Sequence, residues 1–208
     1  MTISVKQIYV IDDDTSSLEA IEWVVTNAGY AVNGFLNLET FLKHVNFTAP
    51  CALIVDVHLK DALGLSLLET LRTRPYLPPM IFITGFGDIP MAVNALKDGA
   101  FDFIEKPIDN AHLLNRLAAA YLESEARFQL HEHRQILEVK IERLTNRERE
   151  VFFLLSDGMG NKHIARELEL SVKTIEFHRK NVMEKLEATQ LNEIVQLRRQ
   201  LRETGINP

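Results

Sequence analysis

Acidic, hydroxyl and amino side chains stand at the ends of four short apolar runs in the first half of the chain. Asp12 and Asp13 follow one run, Asp56 ends a second, Thr84 ends a third and Lys106 follows a fourth. A carboxylate beside a hard divalent cation such as Mg²⁺ and an ammonium group can accept a phosphoryl group, because both cations neutralise the added charge. A threonine hydroxyl can donate a hydrogen bond to a phosphoryl oxygen. These residue types predict phosphoryl transfer to an aspartate.

These runs belong to a regular alternation of strand and helix patterns. Such alternation predicts βαβ units, and hence an α/β fold whose parallel sheet is covered on both faces. The carboxyl ends of parallel strands meet at one edge of the sheet, so we expect the polar side chains to lie together there. The predicted strands are Gln7–Ile11, Ala31–Phe35, Ala52–Asp56, Met80–Thr84 and Phe101–Ile104.

The motifs around these side chains resemble the receiver domains of bacterial response regulators over about residues 5–122. The resemblance rests on Val10–Asp14, Val55–Val57, Ile83–Gly85 and Phe101–Pro107. It implies a doubly wound, five-stranded parallel sheet of the flavodoxin or CheY type, with strand order 2-1-3-4-5.

The resemblance also implies a phosphoacceptor and a metal site. Asp56 would receive the phosphoryl group from the phosphohistidine of a sensor kinase. One Mg²⁺ ion would be held directly by Asp13, Asp56 and the backbone carbonyl of His58, and through water by Asp12. A histidine is unusual for the family at this position, two residues after the phosphoacceptor.

The remaining implied roles concern the phosphate and the switch. Thr84 and Lys106 would hold the phosphate, and the Lys106–Pro107 peptide bond would be cis, as only proline readily permits. Phe103 would be the aromatic that turns inward when Thr84 moves, the alternative being plain core packing. The stretch after Thr84 resembles the FixJ branch, except that Phe86 stands where histidine is usual.

The sequence changes character after Pro107. No glycine or proline occurs until Gly158, and a helix-forming run reaches about residue 142. The charged second half of this run favours a solvated linker helix over a coiled-coil dimer seam, because its apolar heptad positions are few. Thr145 and Glu148 match a capping box, which begins a new helix. The predicted domains are residues 1–122, a linker over 123–143, and residues 144–208.

Residues 161–186 predict a helix, a tight turn and a second helix, the arrangement that places the second helix in a major groove of DNA. Its charged side chains suit phosphates and base edges, and an aromatic ring suits a thymine methyl group. The alternative is a buried Phe177 and a merely solvated charged face. The outward-facing residues would be Lys173, Glu176, Phe177, Arg179 and Lys180.

The second half of the chain, from about residue 143 to 204, resembles the LuxR/NarL/FixJ type of DNA-binding domain. The resemblance rests on Leu144–Val151, Gly158–Ala165 and Ser171–Lys180, and it implies an all-α, four-helix fold. It implies phosphate contacts from Asn161 and Lys162. The implied contacts from the recognition helix are Lys173, Thr174, Glu176, Phe177 and Lys180, although the family usually has valine at the position of Phe177.

The two resemblances together imply a transcription factor controlled by phosphorylation, similar to regulators of aromatic-hydrocarbon breakdown. Its expected partners are a sensor histidine kinase, double-stranded promoter DNA and a second copy of the chain. The family's habit implies that phosphorylation pairs two copies through the fourth and fifth helices of the receiver, and that the last helix, about residues 190–203, pairs them on a palindromic site. One alternative is an aspartyl-phosphate phosphatase, whose usual second aspartate is replaced here by His58. The other is a regulator of the same fold that no longer uses phosphate, against which the complete acidic site argues.

Charge and composition agree with a cytoplasmic DNA-binding protein and not with a membrane protein. Residues 1–122 carry 8 basic and 14 acidic residues, a net charge of −6, whereas residues 143–208 carry 12 and 10, a net charge of +2. The single cysteine, Cys51, lies in an apolar run and is expected to be a buried thiol in a reducing compartment. The sequence shows neither a signal-peptide pattern nor an apolar run long enough to span a membrane.

Overall fold

Strands and helices alternate through the first half of the computed structural model, which describes residues 6–60, 63–85 and 89–204. The backbone divides into two units, Met1–Gln129 and Leu130–Pro208. The elements as far as the long fifth helix are β1 (Gln7–Ile11), α1 (Thr15–Asn27), β2 (Ala31–Phe35), α2 (Leu38–His44), β3 (Cys51–Asp56), α3 (Ser66–Arg72), β4 (Met80–Thr84), α4 (Ile89–Lys97), β5 (Asp102–Glu105) and α5 (Asn110–Glu142).

In the described part of the first unit, five parallel strands form one sheet in the order β2-β1-β3-β4-β5. Every residue of β3 is buried, as expected for a central strand that is covered on both faces. Alternate residues feed two separate cores, with Leu53 and Val55 on one face and Ala52 and Ile54 on the other. The predicted fold class and strand order are confirmed.

The sequence explains why α1 begins directly after the acidic loop. The side chain of Asp14 accepts a hydrogen bond from the amide of Ser16 and caps the helix. Leu18, Ile21 and Val25, spaced three and four residues apart, are buried against the sheet. Asp14 therefore serves the helix, which leaves Asp12 and Asp13 at the end of β1.

The second unit contains the end of α5 and four further helices in its described residues. The predicted capping box is present at the start of α6, between Thr145 and Glu148. Helix α7 ends at Glu167, and Glu169 adopts a left-handed conformation with φ 54°, which stops the helix from continuing. The four helices are α6 (Asn146–Ser156), α7 (Asn161–Glu167), α8 (Val172–Lys185) and α9 (Leu191–Glu203).

Apolar side chains from all of these helices form one core in the second unit. Leu137 and Ile141 bring the last turns of α5 into it, and Phe152, Ile164 and Val182 are fully buried there. Among the helices that the structure describes, none is both long and apolar enough to cross a membrane.

Candidate functional site

The ammonium group of Lys106 lies at the carboxyl edge of the sheet between two carboxylates. It is 3.1 Å from Asp12 Oδ2 and forms a short ion pair with Asp56 Oδ2. Burial alone would lower the pKa of Lys106, but hydrogen bonds from its ammonium to Asp56 and Asp12 raise it above the ordinary value. Lys106 is therefore charged at neutral pH and joins the ends of β1, β3 and β5.

Asp12 is the most deeply buried acid of this edge, with 1% of its surface exposed. The amide of Asp14 donates to its Oδ1 at 2.9 Å, and the hydroxyl of Ser17 donates to its Oδ2 at 2.6 Å. Together with Lys106, these donors give both oxygens of this buried carboxylate hydrogen-bond partners.

Asp56 is held in one orientation by its own strand end. The backbone amide of His58 donates to Asp56 Oδ1 at 2.8 Å, so that Lys106 contacts the other oxygen. Thr84 ends the neighbouring strand and is fully buried, and its carbonyl accepts from the amide of Lys106 at 2.7 Å. The structure thus brings Asp12, Asp56, Thr84 and Lys106 to one edge.

Asp13 belongs to the same edge but has a different partner. Its carboxylate lies 3.3 Å from the ammonium of Lys60, which also donates to the Asp13 carbonyl oxygen at 3.2 Å. The His58 side chain is exposed, while its backbone forms a bridge with Leu63. Asp13 and Asp56 therefore contact different lysines, and the backbone amide of His58 contacts Asp56.

The described residues contain no group of three or more His, Cys, Asp or Glu side chains arranged as a metal site. The ammonium of Lys106 forms ion pairs with Asp12 and Asp56, and the ammonium of Lys60 forms an ion pair with Asp13. The donor set at this edge consists of carboxylate and backbone carbonyl oxygens, which is the ligand type that Mg²⁺ prefers. The oxygen ligands at this edge are therefore of the type expected for Mg²⁺.

Phe103 lies in β5 and is half-buried against the core on one face of the sheet. This position is compatible with both of its expected roles, switch residue and core residue. The Lys106–Pro107 peptide bond is cis, as expected. Phe86 lies outside the residues that the structure describes.

In the second unit, side chains on the outward face of α8 are exposed to solvent. Ile175 and Val182 are fully buried, while Lys173, Glu176 and Lys180 are exposed. The alternative of a buried Phe177 is wrong, because 61% of this residue is exposed. An exposed aromatic ring among charged side chains suits contact with a nucleic acid base.

Hydrogen bonds connect α7 with α8 and fix the start of α8. The Ser171 hydroxyl oxygen accepts from the amide of Thr174 at 3.0 Å and caps the helix. Thr174 itself is half-buried. Asn161 accepts from Arg179 at 3.0 Å, which ties the first turn of α7 to the middle of α8. Lys162, the next residue of α7, is exposed.

Sequence reasoning missed two residues of the acidic edge. Ser17 is five residues after Asp12, and its place on the inner side of α1 follows from the cap at Asp14, which a sequence pattern could have indicated. Lys60 is four residues after Asp56, in a loop without helical or strand periodicity, so no sequence signal points to its contact with Asp13.

Two family models match the chain. The model described as "Response regulator receiver domain" matches residues 8–118, and the model described as "Bacterial regulatory proteins, luxR family" matches residues 142–198. The first contains the whole acidic edge, and the second contains α7 and α8.

Proteins of known function and a solved structure match over nearly the whole length. The transcriptional regulatory protein FixJ of Bradyrhizobium diazoefficiens is 35% identical over 91% of this chain and 93% of its own. The response regulator protein TodT of Pseudomonas putida is 35% identical over 95% of this chain and 87% of its own. The structure of the response regulator StyR has a TM-score of 0.79 and 34% identity, and covers 94% of this chain and 99% of its own.

Proposed function

The chain belongs to the two-component response regulators that join a receiver domain to a LuxR-type DNA-binding domain, and from this premise we propose that Asp56 is its phosphoacceptor. It is a two-component regulator of transcription. The observation that carries the proposal is the contact of a single ammonium group, that of Lys106, with both Asp56 and Asp12.

Phosphorylation requires a carboxylate oxygen of Asp56 to attack phosphorus. The O–P bond forms as the P–N bond to the kinase's histidine breaks, and the electron pair of the broken bond stays on the histidine ring. The amide of His58 holds one oxygen of Asp56, while Lys106 offsets negative charge and Thr84 donates to a phosphoryl oxygen. Mg²⁺, held directly by Asp13, Asp56 and the His58 carbonyl and through water by Asp12, would supply further positive charge.

Asp56→Asn tests this assignment directly. The variant should take up no phosphate from acetyl phosphate in the presence of Mg²⁺, because an amide oxygen is a poor nucleophile, while circular dichroism shows an intact fold. Asp98→Asn is the matched control, since Asp98 is an exposed acid paired with Arg72 in the same unit. Mass spectrometry of the intact protein measures the added phosphate. A Mg²⁺-dependent acyl phosphate on the Asp56→Asn variant would refute the assignment.

The second unit binds promoter DNA through α8, which enters the major groove. The exposed lysines and the exposed Phe177 ring on one face of α8 support this geometry. The residues that face the bases and the DNA backbone are Lys173, Thr174, Glu176, Phe177 and Lys180, with phosphate contacts from Asn161 and Lys162.

The partners follow from the two activities. A sensor histidine kinase supplies the phosphoryl group, and phosphorylation produces a homodimer that activates a catabolic operon in the cytoplasm. The named relatives are transcription regulators, which supports a protein that is not an enzyme. The phosphatase alternative requires an acid two residues after Asp56, where this chain has the exposed His58.

A further inference from the structure

The three carboxylates of the proposed phosphorylation site do not share the same cation. Asp12 and Asp56 contact Lys106, whose side chain is 28% exposed, whereas Asp13 contacts Lys60, whose side chain is 76% exposed. An exposed lysine on a flexible stem can leave its partner at low free-energy cost. The negative charge of Asp13 is thus balanced by an ammonium group that can move away into solvent.

Lys60 lies in the loop after β3 and contacts Asp13. His58 and Leu63 form an antiparallel bridge that brings the two described ends of this loop together. A Cβ atom at Gly64 would collide with the carbonyl oxygen at the end of β3, so the returning chain passes very close to that strand. Lys60 lies between His58 and Leu63 in the sequence, and its ammonium reaches both the carboxylate and the backbone carbonyl of Asp13.

We propose that Lys60 regulates the metal affinity of the site, because its ammonium must leave the Asp13 carboxylate before a divalent cation can bind there. The inference rests on the proposed function, in which Asp13 is a ligand of Mg²⁺. Lys60 neutralises Asp13 before the metal enters and repels the dication that replaces it. The lysine therefore weakens Mg²⁺ binding and raises the Mg²⁺ concentration at which Asp56 becomes competent for phosphorylation.

The experiment measures Mg²⁺ binding to the full chain by calorimetry, and Mn²⁺ binding by the electron paramagnetic resonance of the free ion. Lys60→Met keeps the stem and removes the charge, and it should bind both ions about two- to fivefold more tightly, as expected for loss of an exposed ion pair. Lys60→Arg keeps the charge and should bind like the native protein. Lys43→Met is the matched control, because Lys43 is an exposed lysine paired with Glu39 in α2.

The salt dependence of metal binding separates an electrostatic role of Lys60 from a structural one. The difference in affinity between the native protein and Lys60→Met should shrink as salt rises from about 0.05 M to 0.5 M, since salt screens exposed charges. A purely structural role of Lys60 would leave this difference unchanged by salt.

Two results would overturn the inference, and only the second would also overturn the proposed metal site. Equal or weaker metal binding by Lys60→Met, with measurable binding by the native protein, would refute the role of Lys60 and leave the proposed phosphorylation site standing. Failure of the native protein and every variant to bind Mg²⁺ or Mn²⁺ would refute both the metal site and the role of Lys60.

Discussion

Glu148 is an acid buried inside the helical core of the second unit, with 3% of its surface exposed. Burial raises the pKa of Glu148, but the hydrogen bonds that it accepts from Lys185 and from Thr145 outweigh this effect and lower it to about 2. The Lys185 ammonium lies 2.6 Å from Glu148 Oε2. One carboxylate therefore both caps α6 and holds the last turn of α8, the proposed recognition helix.

We expect Glu148→Gln to loosen α8 without unfolding the unit. The change leaves Lys185 without its charged partner, and it should cost about 1–3 kcal/mol, because a hydrogen bond to a charged group is lost. Amide hydrogen exchange in α6 and α8 should accelerate by about 5- to 150-fold. Glu150→Gln is the control, since Glu150 lies on the same helix and makes only a surface pair with Arg147.

The same pair predicts the acid sensitivity of this unit. The folded pKa of Glu148, about 2, lies below the ordinary value of 4.5, so its contribution to stability is present above about pH 4.5 and is lost as pH falls toward 2. The difference in exchange between the native protein and Glu148→Gln should accordingly diminish over that range. A difference that grew on acidification would contradict the role of the ion pair.

At the level of single residues, the sequence predicted the acidic edge better than its surroundings. Asp12, Asp56, Thr84 and Lys106 could be placed because each follows or ends a strand, and parallel strand ends meet at one edge. Lys60 could not be placed, since its contact with Asp13 depends on how an aperiodic loop folds back. The strand pattern predicts which residues lie at the carboxyl edge of the sheet. It does not predict the direction in which the side chain of a loop residue points.

Among the elements, α5 packs against the first unit beyond residue 122, where the sequence predicts that the receiver ends. The Tyr76 hydroxyl lies 2.6 Å from Ser124 Oγ, and the rings of Tyr76 and Phe128 pack edge to face at 5.1 Å. Tyr76 OH also contacts the backbone of Cys51, where burial raises the thiol pKa to about 12 and keeps it protonated. Contacts across 48 residues leave no periodic signal, so the domain limit predicted at residue 122 could not include them.

We propose that the receiver needs residues 123–129 for full stability. A protein of residues 1–122 lacks Ser124 and Phe128, and it should be about 3 kcal/mol or more less stable than one of residues 1–129, the usual cost of losing a buried phenylalanine. Urea denaturation followed by circular dichroism measures the difference. Phe128→Ala in the longer protein should reproduce most of it. Equal stability of the two proteins would place the limit at residue 122, as the sequence predicts.

Helix α8 allows two kinds of DNA contact to be told apart. Lys180→Ala should weaken binding to all sequences alike and reduce the salt dependence of the affinity by about one counterion, as expected for a phosphate contact. Glu176→Ala should relax the preference at one base pair by about 1–3 kcal/mol, as expected for readout of cytosine. Titrations on matched and mismatched sites at several salt concentrations measure both effects.

The control for these variants is Lys43→Ala, an exposed lysine of α2 in the first unit, which should change neither affinity nor salt dependence. Equal losses for Lys180→Ala and Glu176→Ala on every sequence would contradict direct base readout by α8. A loss confined to matched sites for Lys180→Ala would instead move Lys180 from the phosphates to the bases.

For the whole molecule, we expect phosphorylation to act through dimerisation. Helix α4 exposes two apolar side chains in the described residues of the receiver, Val93 at 42% and Leu96 at 44%. A dimer formed through α4 and the start of α5 would bury them, and two copies could then occupy two half-sites on DNA. Binding of the second half-site becomes nearly intramolecular, so affinity rises without any new contact to a base.

Val93→Glu and Leu96→Glu test this coupling, because a charge in the interface should keep the phosphorylated protein monomeric. Each variant should still take up phosphate at Asp56 but lose the gain in affinity for a palindromic site, while its affinity for a single half-site stays unchanged. Leu36→Glu, which alters an equally exposed leucine after β2, serves as the control and should dimerise like the native chain. Sedimentation velocity and footprinting, with and without acetyl phosphate, measure the two quantities. Phosphorylated monomers of the native protein with unchanged affinity would contradict activation by dimerisation, and dimers of the two α4 variants would assign the interface to another face of the receiver.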